Sequence, residues 1–219
     1  MRRTSALILA VAIVSALAWG KNTTWTNGAA DQDFTNAANW SNGVAVNGDT
    51  VDSSTSTTPT ANRPGAGTTL NVSVSSGVNL LVYNFLAAGG AIGDVTVGHA
   101  SAFLRDTVGH GPAGDVTVTA GRYGAFGAVG GDVSIASGAT FLCMGAATVG
   151  GAVSNAGTIE GDSKSLAIPA GSAIAGTGTI QNTAAASPLF VGEGGADGGG
   201  NTNVWFDRGG ASTGTGTGT

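Results

Sequence analysis

Glycine takes 39 of the 219 positions, charged residues are only 10%, and the formal charge is −5. A phosphate backbone needs clustered Lys and Arg, so nucleic acid is excluded as a partner. Cys143 is the only cysteine, which excludes an intramolecular disulfide framework, and so sparse a set of charges leaves little from which to assemble a catalytic cleft.

In chain order, Arg2 and Arg3 form a basic start, Ala6 to Leu17 is an almost unbroken apolar run, and Ala16-Leu17-Ala18 gives a small-x-small pattern. That order predicts a secretory signal peptide over 1–18, because the run is too short to span a bilayer. Loss of Arg2 and Arg3 takes the charge from −5 down by two, to −7. The remaining basic residues, Lys21, Arg63, Arg105, Arg122, Lys164 and Arg208, are scattered. The residue directly after Ala18 is not a cysteine, so a lipid anchor is not expected, and no later stretch is apolar enough to span a membrane. The mature chain is expected to be exported.

Residues 19–69 read as an N-terminal cap module and a loop. They contain Thr24-Trp25-Thr26-Asn27-Gly28, then Asn36-Ala37-Ala38-Asn39-Trp40, then Asn47-Gly48-Asp49. This order resembles the opening module of exported bacterial β-helix surface proteins of the autotransporter-passenger-like and PEP-CTERM-associated types. Similar openings occur in phage fibre-like proteins. The resemblance covers about 30 residues and implies a parallel β-helix outside the cell. Two parts of the family pattern are missing, an outer-membrane barrel and a Pro-Glu-Pro sorting motif with its hydrophobic tail, so neither route of anchoring is expected of this chain. Physically, Trp25, Phe34 and Trp40 suit a plug over the exposed end of a β-stack. The rival reading makes Trp25 and Trp40 a ligand-binding platform on which sugar rings stack.

Over 70–182 five segments align: Asn71-Val72-Ser73-Val74, Asp94-Val95-Thr96-Val97, Asp115-Val116-Thr117-Val118, Asp132-Val133-Ser134-Ile135 and Ala152-Val153-Ser154-Asn155. Their central hydroxyl residues recur at a period of about 20, which is the signature of a solenoid. A second column is read as Phe103, Phe126 and Phe141, and a third as Val108, Val129 and Val149. The fold expected is all-β, a parallel β-solenoid with three short strands in each coil of about 20 residues and an N-terminal cap. Alternation puts the valines of Val-Thr-Val inside and the Thr outside. A sandwich or barrel has no reason to repeat the same residue types at the same offsets. Beyond the coils, 183–208 reads as a C-terminal cap or loop, in which Leu189-Phe190-Val191 and Val204-Trp205-Phe206 cover the last coil. The Gly/Thr run 209–219 reads as a flexible tail or a linker.

Chemistry-bearing residues are few. His110 follows Asp106 by four, a spacing that does not bring two side chains face to face on a strand or corner. Neither a Ser-His-Asp order, a Cys/His metal spacing nor a phosphate loop is present. Gly192-Glu193-Gly194-Gly195-Ala196-Asp197-Gly198 lacks the tandem repetition of calcium-binding nonapeptides and reads as a loop. Cys143, within Phe141-Leu142-Cys143-Met144, reads as a small buried residue. The aligned register stacks Asp94, Asp115 and Asp132 about 4.8 Å apart at one corner. Such acids splay into solvent, cap corner N–H groups as Asx-type turns, or share a hard cation, which makes these three the candidate metal residues and calcium the candidate cofactor.

The functional expectation is a secreted or cell-surface structural or adhesin-like β-helix without catalysis. Its expected partners are surface polysaccharide or another protein, with no nucleic acid and no membrane span in the mature chain. The alternatives are a carbohydrate-active β-helix enzyme, or a fragment of one, and a phage fibre-like protein. Ice or crystal binding through the outward Ser/Thr column would need a wider surface than one column provides.

Overall fold

In the computed structural model the residues described are 20–161, 165–168, 174–182, 189–193 and 204–206. The segment 1–18 read as a signal peptide, most of 183–208 including 194–198, and the run 209–219 read as a tail lie outside them.

The chain forms seventeen strands among the described residues. The first six are β1 (Asn22–Trp25), β2 (Thr50–Ser53), β3 (Thr69–Val74), β4 (Asn79–Leu81), β5 (Ala91–Arg105) and β6 (Val116–Ala125). Then come β7 (Ala128–Val129), β8 (Val133–Ile135), β9 (Thr140–Cys143), β10 (Ala147–Val149), β11 (Val153–Asn155) and β12 (Thr158–Gly161). The last are β13 (Ser165–Ile168), β14 (Ile174–Ala175), β15 (Thr179–Asn182), β16 (Leu189–Glu193) and β17 (Val204–Phe206).

These stack as a three-sided parallel solenoid. The first face runs β1-β2-β3-β5-β6-β8-β11-β14. The second links β4, the ends of β5 and β6, then β9, β12 and β15. The third runs β7-β10-β13-β16, and β17 closes it as the antiparallel strand. β5 and β6 are long because each continues around the corner from the first face to the second, where their register shifts between Val97 and Gly98 and again between Gly98 and Phe103. On the first face Val51, Val72, Val95, Val116, Val133, Val153 and Ile174 pair in one column. Each coil therefore advances the chain by 17 to 23 residues. Val95, Val97, Val116 and Val118 are buried, while Thr96 and Thr117 between them reach the surface. A coil of this size cannot enclose its own apolar side; the valines lose contact with water only against the coils above and below.

The other two columns differ from expectation. The inward column of the second face is Leu80, Leu104, Tyr123, Phe141, Ile159 and Ile180. Phe103 instead pairs with Arg122 on the outer side, and Phe126 lies beyond the end of β6, half-buried at the corner. A slip of one residue carries a side chain to the opposite face, and the uneven coil lengths produce that slip. On the third face Val129 and Val149 pair and are buried as expected, but Val108 is 76% exposed in a corner. Cys143 is buried, and burial pushes its thiol up to about 12.

The solenoid sheet also begins earlier than residue 70. β1 pairs in parallel with β2, and β2 with β3, so the segment read as cap and loop supplies the first two rungs. Above them Asn36 caps a single 3-10 turn at Ala37–Asn39 by accepting the Ala38 N–H. That turn delivers Trp40 edge-on to Trp25 at 5.1 Å, with Phe34 edge-on to Trp40 at 4.9 Å. All three rings are buried in the common core.

Candidate functional site: the first face and its carboxylate ladder

The three aligned aspartates do stack, and their side chains are used between coils. The Asp94 N–H donates to Asn71 Oδ1 at 2.9 Å, and the Asp115 N–H to Asp94 Oδ1 at 3.0 Å. The Asp132 N–H donates to Asp115 Oδ1 at 2.8 Å, and the Ala152 N–H to Asp132 Oδ1 at 2.8 Å. Each side chain therefore caps the backbone of the next coil, where a local Asx turn would have capped its own. A hydrogen bond to an ionised acceptor is stronger than a neutral one, and it offsets the repulsion of carboxylates one rung apart.

The ladder depends on the residue before each acid. A Cβ at Gly93, Gly114, Gly131 or Gly151 would collide with Oδ1 of Asn71, Asp94, Asp115 or Asp132, respectively. The repeated unit is thus Gly-Asp-Val-Thr/Ser-Val/Ile, in which glycine leaves space for the oxygen from the coil below. One oxygen of each of the three acids is committed to an N–H of the next coil, so each serves as a backbone cap.

Outside the ladder the first face presents a row of hydroxyls in register: Ser73, Thr96, Thr117, Ser134 and Ser154. Across its first four rungs this row opens into a shallow groove of about 400 Å³ lined by polar side chains, among them Thr24, Asp52, Asn71, Ser73, Asp94 and Thr96. A register shift lies in the groove. Leu70 pairs with Ile92 but Val72 with Val95, so Gly93 and Asp94 together oppose Asn71 as a β-bulge.

Trp25 and Trp40 stand apart from this surface. Trp25 is 0% and Trp40 5% exposed. Their indole N–H groups donate to Thr57 O at 2.8 Å and Phe34 O at 2.7 Å, so neither ring offers a face to a sugar. Beside them Asp31 and Asp33 organise the cap loop. Asp31 accepts from the Asp33 N–H and from the amides of Asn39 and Asn36, which hold its carboxyl below the ordinary value. Asp33 is lowered by the Thr35 hydroxyl and N–H, and by Asn62.

One buried acid escaped sequence reasoning. Asp106 is fully buried at the corner after β5, accepting the Phe126 and Gly127 N–H groups and the Tyr123 hydroxyl. Burial outweighs these bonds and raises its carboxyl to about 6. Tyr123 is pushed well above its ordinary value by burial first, then by the Asp106 charge. His110 does not meet Asp106; it stacks on Tyr83 with ring centres 3.9 Å apart. His99 Nδ1 accepts the Ser101 N–H. On the second face the guanidinium groups of Arg105 and Arg122 both lie over the Phe103 ring, 5.1 and 5.2 Å from its centre. Arg122 reaches on to Glu160 at 3.1 Å.

Among the described residues, most of the charged side chains thus join one coil to the next. No family model matches the chain, and no curated protein or solved structure is significantly similar to it.

Proposed function

We propose that this protein is a secreted or cell-surface β-solenoid acting as a structural or adhesin-like module without catalysis, of the kind its N-terminal module resembles. The observation that carries the reading is the deployment of its acids. Asp94, Asp115, Asp132 and Asp106 each accept a backbone N–H of the following coil, so they serve the scaffold, and a polar face with a shallow groove is what remains for contact. The basic start and apolar run of 1–18 support export. Surface polysaccharide or another protein is the partner such a face suits.

Fractionation of cells producing an epitope-tagged chain tests the export reading. The tag is expected in the medium or accessible to external protease, and a chain lacking 1–18 is expected to stay inside; retention of both inside would overturn it. The non-catalytic part is tested by incubating purified protein with polysaccharides. Release of new reducing ends or unsaturated products would transfer the protein to the carbohydrate-active alternative.

A further inference from the structure

We propose that the groove across the first four rungs of the first face is a binding site for a neutral, polyhydroxylated glycan chain; this rests on the surface-module reading above and names its partner. The lining supplies both hydrogen-bond senses. The hydroxyls of Thr24, Thr50, Ser73 and Thr96 and the amide group of Asn71 make no side-chain donor bond among the described residues. Asp94 uses Oδ1 for the Asp115 N–H, which leaves Oδ2 as an acceptor for a sugar O–H.

Charge selects the class. The lining holds Asp52 and Asp94 and no cation, so a uronate or sulfated chain would meet like charge without a counter-ion. The carboxylates do not demand a cation either. Asp52 is satisfied by the Ser53 and Ser75 N–H groups and the Ser75 hydroxyl; Asp94 gives Oδ1 to the ladder and is solvated at its exposed Oδ2 side. The groove's volume of about 400 Å³ falls in the range of ligand clefts. Four rungs span three spacings, about 14 Å along the solenoid axis, room for a short oligosaccharide segment. The bulge at Gly93–Asp94 lies on its wall, and bulges re-aim side chains beside sites. With both cap tryptophans buried, recognition here rests on hydrogen bonds rather than ring stacking.

The experiment measures binding of the mature protein to immobilised mannan, dextran and soluble β-glucan as neutral probes, alginate as the anionic probe and chitosan oligomers as the cationic one. Wild type is expected to bind at least one neutral probe with little dependence on salt. Ser73→Arg and Thr96→Arg, outward positions whose folding is checked by circular dichroism, are expected to weaken that binding at least tenfold. Ser154→Arg, on the same face but outside the groove, is expected to leave it unchanged. Binding confined to alginate or chitosan, binding to none of the probes, or equal binding by Ser73→Arg and Ser154→Arg would each overturn the groove assignment. Export is measured separately, so failure of the groove and failure of the surface-module reading give different results.

Discussion

Replacing Asp106 by Asn should make the protein more stable at neutral pH, although it removes a hydrogen-bonded charge. Asp106 is fully buried and its carboxyl is raised to about 6 from the ordinary 3.8. A raised folded value means that the folded state holds the proton more tightly than the unfolded chain does. The group's contribution is therefore most favourable below pH 4, is lost as pH rises through 6, and is level above that. At 1.36 kcal/mol per decade of binding, the ionised group costs the fold about 3 kcal/mol at pH 8, as an upper figure. Asn is isosteric; its Oδ1 can still accept the Phe126 and Gly127 N–H groups, and its amide can donate to the Tyr123 oxygen. Neutral acceptors are weaker, so a net gain of about 1–3 kcal/mol is expected at pH 8, with near equality at pH 4. For a chain of this length that corresponds to about 2–12 °C in the melting midpoint. The assay is thermal and urea unfolding of wild type and Asp106→Asn at pH 4, 6 and 8, followed by circular dichroism. Comparing the two proteins at each pH cancels the titration of all other acids. A variant less stable than wild type at pH 8, or a difference that does not change with pH, would show that the N–H donors stabilise the charge more than burial penalises it.

The ladder predicts a second asymmetry: Asp115→Ala should cost about 1–2 kcal/mol by leaving the Asp132 N–H uncapped, and Asp115→Asn should recover much of it. The same melts run with millimolar calcium and with chelator should show no shift; a rise in midpoint that disappears in Asp115→Ala would instead establish a structural cation. Gly114→Ala should destabilise by collision with Asp94 Oδ1, and adding Asp94→Ala should recover part of that loss, a coupling measurable in a double-mutant cycle. Val116→Asp should prevent folding, because its carboxylate would be buried in the valine column, whereas Thr117→Asp should cost about 1 kcal/mol or less. Equal damage from both would mean that the two faces are reversed.

The first column was readable because Asp-Val-Thr-Val repeats residue type, spacing and alternation together. The second column was not, because Phe103 and Phe126 carry an apolar residue at a similar offset without its phase. Only the paired register shows that Leu104 and Tyr123 face inward. Alternation from Leu104 would have placed Asp106 inside as well, but an acid in an apolar column ordinarily argues against burial, and its partners come from the following coil. The glycines ahead of each ladder acid were visible as composition, yet their cause is the side-chain oxygen of the preceding coil, far away in sequence, which no local pattern records. The plug was legible in the aromatic residues of the opening module. That β1 also serves as the first rung was not, since a lone Thr-Thr-Trp strand carries no repeat phase.

The ladder has a direction: it begins at Asn71 and ends at Ala152, and each coil between them gives an acceptor upward and receives one from below. A duplicated coil would therefore arrive with its own oxygen for the neighbour that follows and its own glycine to admit the neighbour that precedes. Residues 94–114, which run from one ladder acid to the glycine before the next, form such a unit. A tandem copy of them should insert without any compensating change, adding one rung to the stack and melting no lower than the parent. Length in this architecture is thus open to change by simple repetition of the gene segment, and a longer shaft requires no new contact to be invented.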